Sequence, residues 1–437
     1  AISPRRRTTI FGSGEYRPAA FDTTELYGEF IYHTRDSEQI SNRQFFPWYH
    51  PDSPINPYGV DNPAFDFGPL FGLPPGQFVG PINGFTARPI VLIPFDQEQE
   101  VELYRLLGGA RGEFTGDFLN GWSWDAYLSH SSSDASNTRD VVPLDRVEAG
   151  TGTIDNGILL NPDGVCGPSA PEGCVPLDLF STPTLFDGLF PQAAQDYYFQ
   201  RETQNTTYEQ TIFEASMTGD VFELPAGNVP VAVGMTYRRD EIEDIPGEFS
   251  IEGNVWGLLS AIETIGDDSV VEVFGEVEVP ILANEPLAEE LSINLSARYS
   301  NYDSVGDATT YKIGGNWQLN PSIRLRATYG TSFRAPQLYE LFLGDQTSFL
   351  AQVNVDPCIN YDNPAEDTVV DPIIQANCAA DGLPGDFGGG SSSAEVLTGG
   401  GLDLEPEDST AATVGLVLTP EFLDLSLALD YFDIAVE

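Results

Sequence analysis

Four cysteines, three histidines and a large surplus of carboxylates are the side chains with which this sequence could do chemistry. The cysteines fall into two local pairs, Cys166 with Cys174 and Cys358 with Cys378. Neither has a histidine at zinc spacing, since His33, His50 and His130 lie far off in sequence. We read them as two disulfides of an oxidising compartment rather than as free thiols, each contributing roughly 2 to 3 kcal/mol by closing a short loop. Acidic groupings such as Glu241 with Glu243 and Asp244, or Asp362 with Glu366 and Asp367, lack the spacing of a calcium loop and read as solvated segments. Gly388, Gly389 and Gly390, followed by three serines, have no Lys-Ser/Thr or helix behind them, so they read as a loop tip and not as a phosphate cradle. The sequence contains no P-loop, no His-Glu-x-x-His, no Gly-x-Ser-x-Gly elbow and no Cys beside a His. A glycosidase-like carboxylate pair needs a defined separation that sequence does not specify. No catalytic residue, metal ligand or cofactor is therefore assigned, and an enzyme is not expected.

A ligand has a better candidate. The segment 35–99 is rich in Pro and in aromatic residues, with Phe45, Phe46, Trp48, Tyr49 and Tyr58 in its first half and Phe65, Phe67 and Phe71 beyond them. Aromatic faces at an open mouth stack on sugars or on chelator rings. The same rings can instead pack the segment on itself, and both readings stay open.

Composition narrows the class. With 67 acidic and 19 basic residues the net charge is −48 and the pI is near 4.1. Nucleic acid is excluded as a partner, because phosphate binding requires clustered Lys and Arg. No apolar run reaches the 18 residues of a transmembrane helix. A barrel remains possible, because its strands cross with about 9 to 11 residues each and alternate in polarity. The first nine residues are basic with no apolar stretch behind them, so no signal peptide is expected and the chain reads as starting at a mature or internal position.

The elements that must position these groups are strands. From Leu291 to Tyr299 apolar residues alternate with polar ones, and from Ile323 the series Leu325, Ala327 and Tyr329 alternates with Arg324, Arg326 and Thr328. Alternation of this kind suits a soluble sandwich as well as a membrane barrel. The residues that follow favour the barrel. Ser332-Phe333-Arg334-Ala335-Pro336 leading into Glu340-Leu341-Phe342 resembles the TonB-dependent outer-membrane receptors, in which a strand ends in an Arg-Ala-Pro turn before a short Glu-Leu-Phe segment. Leu404-Glu405-Pro406-Glu407-Asp408-Ser409, after a Gly-rich lead, is similar to a second pattern of that family, although the usual Asn-Pro ahead of it is absent. Leu429-Asp430-Tyr431-Phe432-Asp433-Ile434 resembles the aromatic end of the next strand, and Leu224 to Gly227 with Val233 to Arg239 extends the likeness upstream.

Alternation predicts strands over 8–16, 25–34, 100–111, 122–131, 208–218, 229–241, 269–280, 291–302, 309–319, 323–333, 410–419 and 423–434. Short connections alternate with long ones at 35–99, 132–207, 242–268 and 334–409. That is the pattern of periplasmic turns against extracellular loops, and both cysteine pairs fall in long loops. The expected fold is all-β, an antiparallel transmembrane barrel. Arginine at the bilayer midplane costs roughly 2 to 4 kcal/mol, so Arg238, Arg298, Arg324 and Arg326, with Glu272 and Glu276, are expected to face the lumen. The same parity sends Val229 to Tyr237 at odd positions, and Leu423, Leu425, Leu427, Leu429 and Tyr431, toward lipid.

The resemblance implies the rest. Residues 1–437 read as part of a barrel of about 22 strands. The family's plug domain, its TonB box and the C-terminal strands are expected to lie outside this chain. The implied function is import of a scarce solute, a siderophore, oligosaccharide or other nutrient, by TonB-coupled active transport across the bacterial outer membrane. The implied partners are outer-membrane lipid and, through the plug, the TonB complex. A passive porin or structural surface barrel is the alternative. The acidic balance argues against an anionic ferric chelate, which it would repel.

Overall fold

The computed structural model describes residues 4–19, 21, 23–58, 86–116, 119–154, 159–257, 261–362, 371–389 and 393–437. Sixteen strands and seven short helices follow one another along them. They are β1 (Arg5–Tyr16), β2 (Thr24–Phe45), β3 (Val91–Glu113), β4 (Ser123–Val141), α1 (Leu144–Thr151), β5 (Thr153–Ile154), β6 (Leu159–Leu160), α2 (Thr182–Asp187), α3 (Gln192–Tyr198), β7 (Gln200–Leu224), β8 (Gly227–Ile245) and α4 (Glu248–Ile251). The series continues with β9 (Thr264–Glu285), β10 (Ala288–Tyr302), β11 (Gly306–Asn320), β12 (Ile323–Arg334), α5 (Leu338–Phe342), β13 (Gln346–Ala351), α6 (Gln352–Val355), α7 (Pro372–Ala380), β14 (Ser393–Thr398), β15 (Glu407–Leu418) and β16 (Leu427–Val436). Twelve of the strands form one antiparallel sheet in the order β1-β2-β3-β4-β7-β8-β9-β10-β11-β12-β15-β16, and the other four make two small hairpins in the loops. Every strand of the large sheet thus pairs with its neighbour in sequence, as an up-and-down barrel wall requires. Among the described residues the sheet stays open, with β1 and β16 at its edges.

Register places a continuous row of large apolar positions on one face. Ile10 lies opposite Tyr32, Phe30 opposite Leu106, Leu128 opposite Phe213, Phe213 opposite Tyr237 and Met235 opposite Val273. The row continues through Val277, Leu295, Ile313 and Tyr329, and through Leu325, Leu416 and Leu429. These large side chains are mostly exposed, Leu106 at 53%, Ile313 at 50% and Leu429 at 70%. An apolar face this wide does not stay in water. Turned to lipid, it is matched by its solvent, while between the two edge strands the backbone groups bond strand to strand as a bilayer demands. No helix among the described residues is long and apolar enough to cross a membrane, which says nothing of strands.

The expected strands all exist, and several are longer than expected. β2 has 22 residues, β3 has 23 and β7 has 25, about twice what a tilted strand needs to cross a bilayer. The upper halves of β2 and β7 are polar on both faces almost throughout, and β3 opens on the unbroken apolar run Val91-Leu92-Ile93-Pro94-Phe95, so none of them carries an alternation for sequence reading to find. One expected strand starts late: Leu423 and Leu425 are not in β16. The Leu423 N–H donates to Pro420 O and the Leu425 N–H to Leu423 O, so these groups close a turn and are lost to the sheet ladder. The tight turns expected near Leu224, Asn284 and Gln318 are present at one rim. The other rim carries the connections 46–90, 142–199, 246–263 and 335–406, with only the short turn 303–305 among them.

Candidate functional site

The face opposite the apolar one is lined with paired charges. Arg298 Nη1 donates to Glu272 at 2.9 Å, Ser300 Oγ donates to the other oxygen of that carboxylate, and Asn294 donates to Glu276 at 2.6 Å. Arg326 binds Asp430 of β16 through two nitrogens, at 2.8 and 3.0 Å. Gly415, with no side chain, leaves room between them for this fork. Arg324 is half-buried on the same face, where no carboxylate among the described residues lies within ion-pair distance. Close to the short-turn rim, Arg111 bridges Glu15 and Glu25, and Glu25 also accepts from Arg17. These pairs sit beside a depression of about 540 Å³ lined in part by Trp124 and Asp125.

The residues that carried the family resemblance form a folded device above the apolar band. Arg334, at the end of β12, donates to Glu340 at 3.0 Å and to Glu407 at 2.8 Å. Glu340 also accepts the Gln337 N–H, closing a capping box on α5. The Arg334 guanidinium, then the Gln337 N–H, hold the Glu340 carboxyl below the usual carboxylate range, and Arg334 does the same for Glu407. Ala335 and Pro336 make the extended link into the helix, and Pro406 precedes β15. Leu338 and Leu341 are buried, and the Phe342 ring fills the space where Gly266 of β9 has no side chain. Tyr339 donates to Asp244 of β8 at 3.0 Å, and burial, then this bond, pushes its pKa up to about 12. Asp244, expected to be solvated, is instead 2% exposed and also accepts from Gln204 and Thr206. The motif is thus a clamp from the end of β12 across to the tall wall of β8 and β9.

The aromatic segment divides. Phe45 and Tyr49 are fully buried in a cluster with Val91, Leu177, Leu179 and Tyr198. Tyr49 donates to Leu177 O, Ser53 to Thr151 O and Thr153 to Trp48 O, so the 46–90 and 142–199 connections form one packed cap. Ligand contact by Phe45 and Tyr49 is therefore corrected: their hydrophobic burial against the second loop leaves no face for a solute. Phe46, Trp48 and Tyr58 are half-exposed, and the Arg88 guanidinium lies 4.4 Å from the ring centroids of both Phe46 and Trp48. Phe65, Phe67 and Phe71 fall outside the described residues, as do Glu366, Asp367, Gly390 and two of the serines after it. Cys166–Cys174 and Cys358–Cys378 are disulfides, the first in the cap and the second in the 335–406 connection, where Cys378 is 1% exposed. Among the described residues no three His, Cys, Asp or Glu side chains converge to hold a metal ion.

Sequence reading missed one cluster. Arg139 of β4 donates to Glu202 of β7 at 2.8 Å, and Ser250 of α4 donates to the same oxygen at 2.7 Å. Only the parity of Arg139 and Glu202 on long strands could have revealed it, and those strand ends carry no hydrophobic signal.

A TonB dependent receptor-like β-barrel family model matches residues 40–437. No curated protein is similar enough in sequence to count as a relative. Among solved structures, the siderophore receptor PirA from Acinetobacter baumannii is 11% identical over 99% of this chain and 50% of its own, with a TM-score of 0.38. The ferric enterobactin receptor mutant Q482A of Pseudomonas aeruginosa, in complex with enterobactin, is 13% identical over 99% and 53%, at 0.36. The RagAB peptide importer in its closed-closed state is 12% identical over 98% and 40%, at 0.46. The chain spans about half the length of these structures. At such identities and scores the assignment stands on the family model.

Proposed function

The chain belongs to the TonB-dependent receptor β-barrel family, a family of outer-membrane barrels, and from that premise we propose that it forms the outer-membrane wall and surface loops of an importer that captures a scarce solute and takes it up at the expense of the inner-membrane proton gradient. The observation that carries this reading is the division of one twelve-stranded sheet into an apolar exposed face and an ion-paired polar face. Lipid takes the first and a wet lumen the second. The paired groups Arg298, Glu272, Glu276 and Arg326 suit the seat of a plug domain, which we propose to be the part on which TonB acts. Phe46, Trp48 and Tyr58, partly exposed on the cap, are the contacts we propose for a solute, whether siderophore, oligosaccharide or another nutrient. No covalent chemistry is required of any of them.

Energy coupling is the property that separates this reading from passive flow. In cells carrying the whole protein, collapse of the proton gradient or removal of TonB is expected to abolish uptake while surface binding persists. Uptake that continues undiminished would replace the importer with a passive barrel.

A further inference from the structure

The charge of this chain is partitioned between the two faces of its extracellular wall. On β3 the run Asp96-Gln97-Glu98-Gln99-Glu100-Val101-Glu102 alternates acid with amide or valine. The odd positions share the face of Arg105 and Arg111, the lumenal one, and the even positions continue the face of Tyr104 and Leu106. Contacts fix both assignments. Glu102 accepts from Tyr32 and Glu98 pairs with Arg201 on the outside, whereas Gln97 donates to Asn137 and Gln99 accepts from Arg35 on the inside. β2 repeats the rule with Asp36 and Glu38, and β4 with Asp134 and Asp140, all at outward positions of an unbroken register. The inner face of the same stretch carries Arg35, Arg43 and Arg139.

Arg139 is neutralised by Glu202. Arg35 and Arg43 have no carboxylate among the described residues within ion-pair distance, in a chain with 67 acidic groups to 19 basic. Arg43 donates to Gly257 O and lies over the Phe95 ring, and burial together with nearby Arg139 lowers its pKa from the ordinary value. The Nε of Arg35 is buried without a partner among the described residues. Guanidinium groups placed in this way lack a counter-charge, and oxyanions supply one through short charge-assisted bonds. Across the lumenal face, the carboxylates of β8 and β9 already have partners, Asp240 with Arg238, Glu272 with Arg298, Glu276 with Asn294, and Asp244 with Gln204, Thr206 and Tyr339.

We propose that the lumenal side of β2 to β4 above the membrane is a binding track for an anionic solute whose charge is carried on oxygen, with Arg35 and Arg43 as its contacts. This rests on the importer reading for its direction of travel, and it reverses the expectation drawn from net charge, because the carboxylates that produce that charge here point away from the track.

Calorimetry on the whole purified receptor tests it without energised transport, with tripolyphosphate as the anionic probe and maltotetraose as the neutral one. Tripolyphosphate is expected to bind and to weaken as salt rises, and the double substitution Arg35→Gln with Arg43→Gln to weaken it roughly tenfold or more. The pair Arg35→Lys with Arg43→Lys keeps the charge and is expected to retain most of the affinity, as is Glu98→Gln with Glu100→Gln on the outer face. Heat-modifiable migration on gels confirms that each variant is folded; if the glutamine pair does not fold, the lysine pair and the salt dependence decide. Absence of polyanion binding, binding indifferent to the glutamine pair, or an equal loss in the outer-face variant overturns the proposal. So does a fall in thermal stability of the glutamine pair with binding intact, which would assign the arginines to acidic groups of a plug. Failure of energy coupling would sink the importer while leaving this binding result standing.

Discussion

At the scale of single residues, the clamp depends on an absence. A Cβ built on Gly266 would meet the Phe342 ring at 2.1 Å, and those ring atoms belong to a side chain wedged between α5 and β9. Gly266→Ala is expected to destabilise the docked helix by about 1 to 3 kcal/mol through overpacking. Hydrogen exchange of α5 in the substituted protein measures it. Adding Phe342→Ala should restore part of the protection by vacating the space, and a clamp equally protected in all three proteins would show that Phe342 does not hold it. Phe342 stood in the recognisable motif, so its importance was legible in sequence. Gly266 stood in an unremarkable strand, and nothing in one sequence links two residues that meet only after folding.

At the scale of elements, α5 is held by charge as well as by packing, and the charge gives a pH dependence whose sign is fixed. Glu340 and Glu407 have their pKa values lowered from 4.5 by Arg334. A lowered carboxylate stabilises the folded clamp above its unfolded pKa, and that contribution is lost as pH falls below it and through the folded value. Protection of α5 is therefore expected to be constant from neutral pH down to about 5 and to fall below 4. The variant Glu340→Gln with Glu407→Gln is expected to be less protected at pH 7 and insensitive to acid in that window. An acid response equally strong in that variant would place the sensitivity elsewhere. The elements themselves were largely legible: each of the twelve sheet strands coincides with a stretch of alternating residues, because half-lipid, half-lumen exposure imposes period two. Their extracellular extensions were not, since 34–44 of β2 and 200–207 of β7 are polar on both faces and are held by ladder hydrogen bonds that leave no compositional trace. The same blindness explains why sequence left open whether Phe45 and Tyr49 meet a ligand or pack their own loop. Their partners Leu177 and Tyr198 lie more than a hundred residues away, and only the fold shows that two loops share one core.

At the scale of the whole molecule, function follows from which way each face of the sheet points, and adjacent residues of one strand test that directly. Leu295 is 40% exposed in the apolar row between Val277 and Ile313, whereas Ser296 lies between Glu276 and Lys312 on the polar face. Arginine at a lipid-facing position costs roughly 2 to 4 kcal/mol near the midplane and much less toward the interfaces, while in a wet lumen it meets water and counter-charge. Leu295→Arg is therefore expected to lower the stability of the barrel refolded into lipid vesicles by a few kcal/mol, measured by denaturant titration, and Ser296→Arg to change it little beside Glu276. The same pair in a water-soluble sandwich would behave differently, because Leu295 would then be a core residue whose exposure in the isolated sheet is false. Detergent separates the two architectures: a barrel needs micelles or lipid to remain dispersed, whereas a sandwich stays soluble without them. Equal costs for the two arginines would mean that the faces do not differ in solvent, and the division on which both the importer and the anion track rest would be lost.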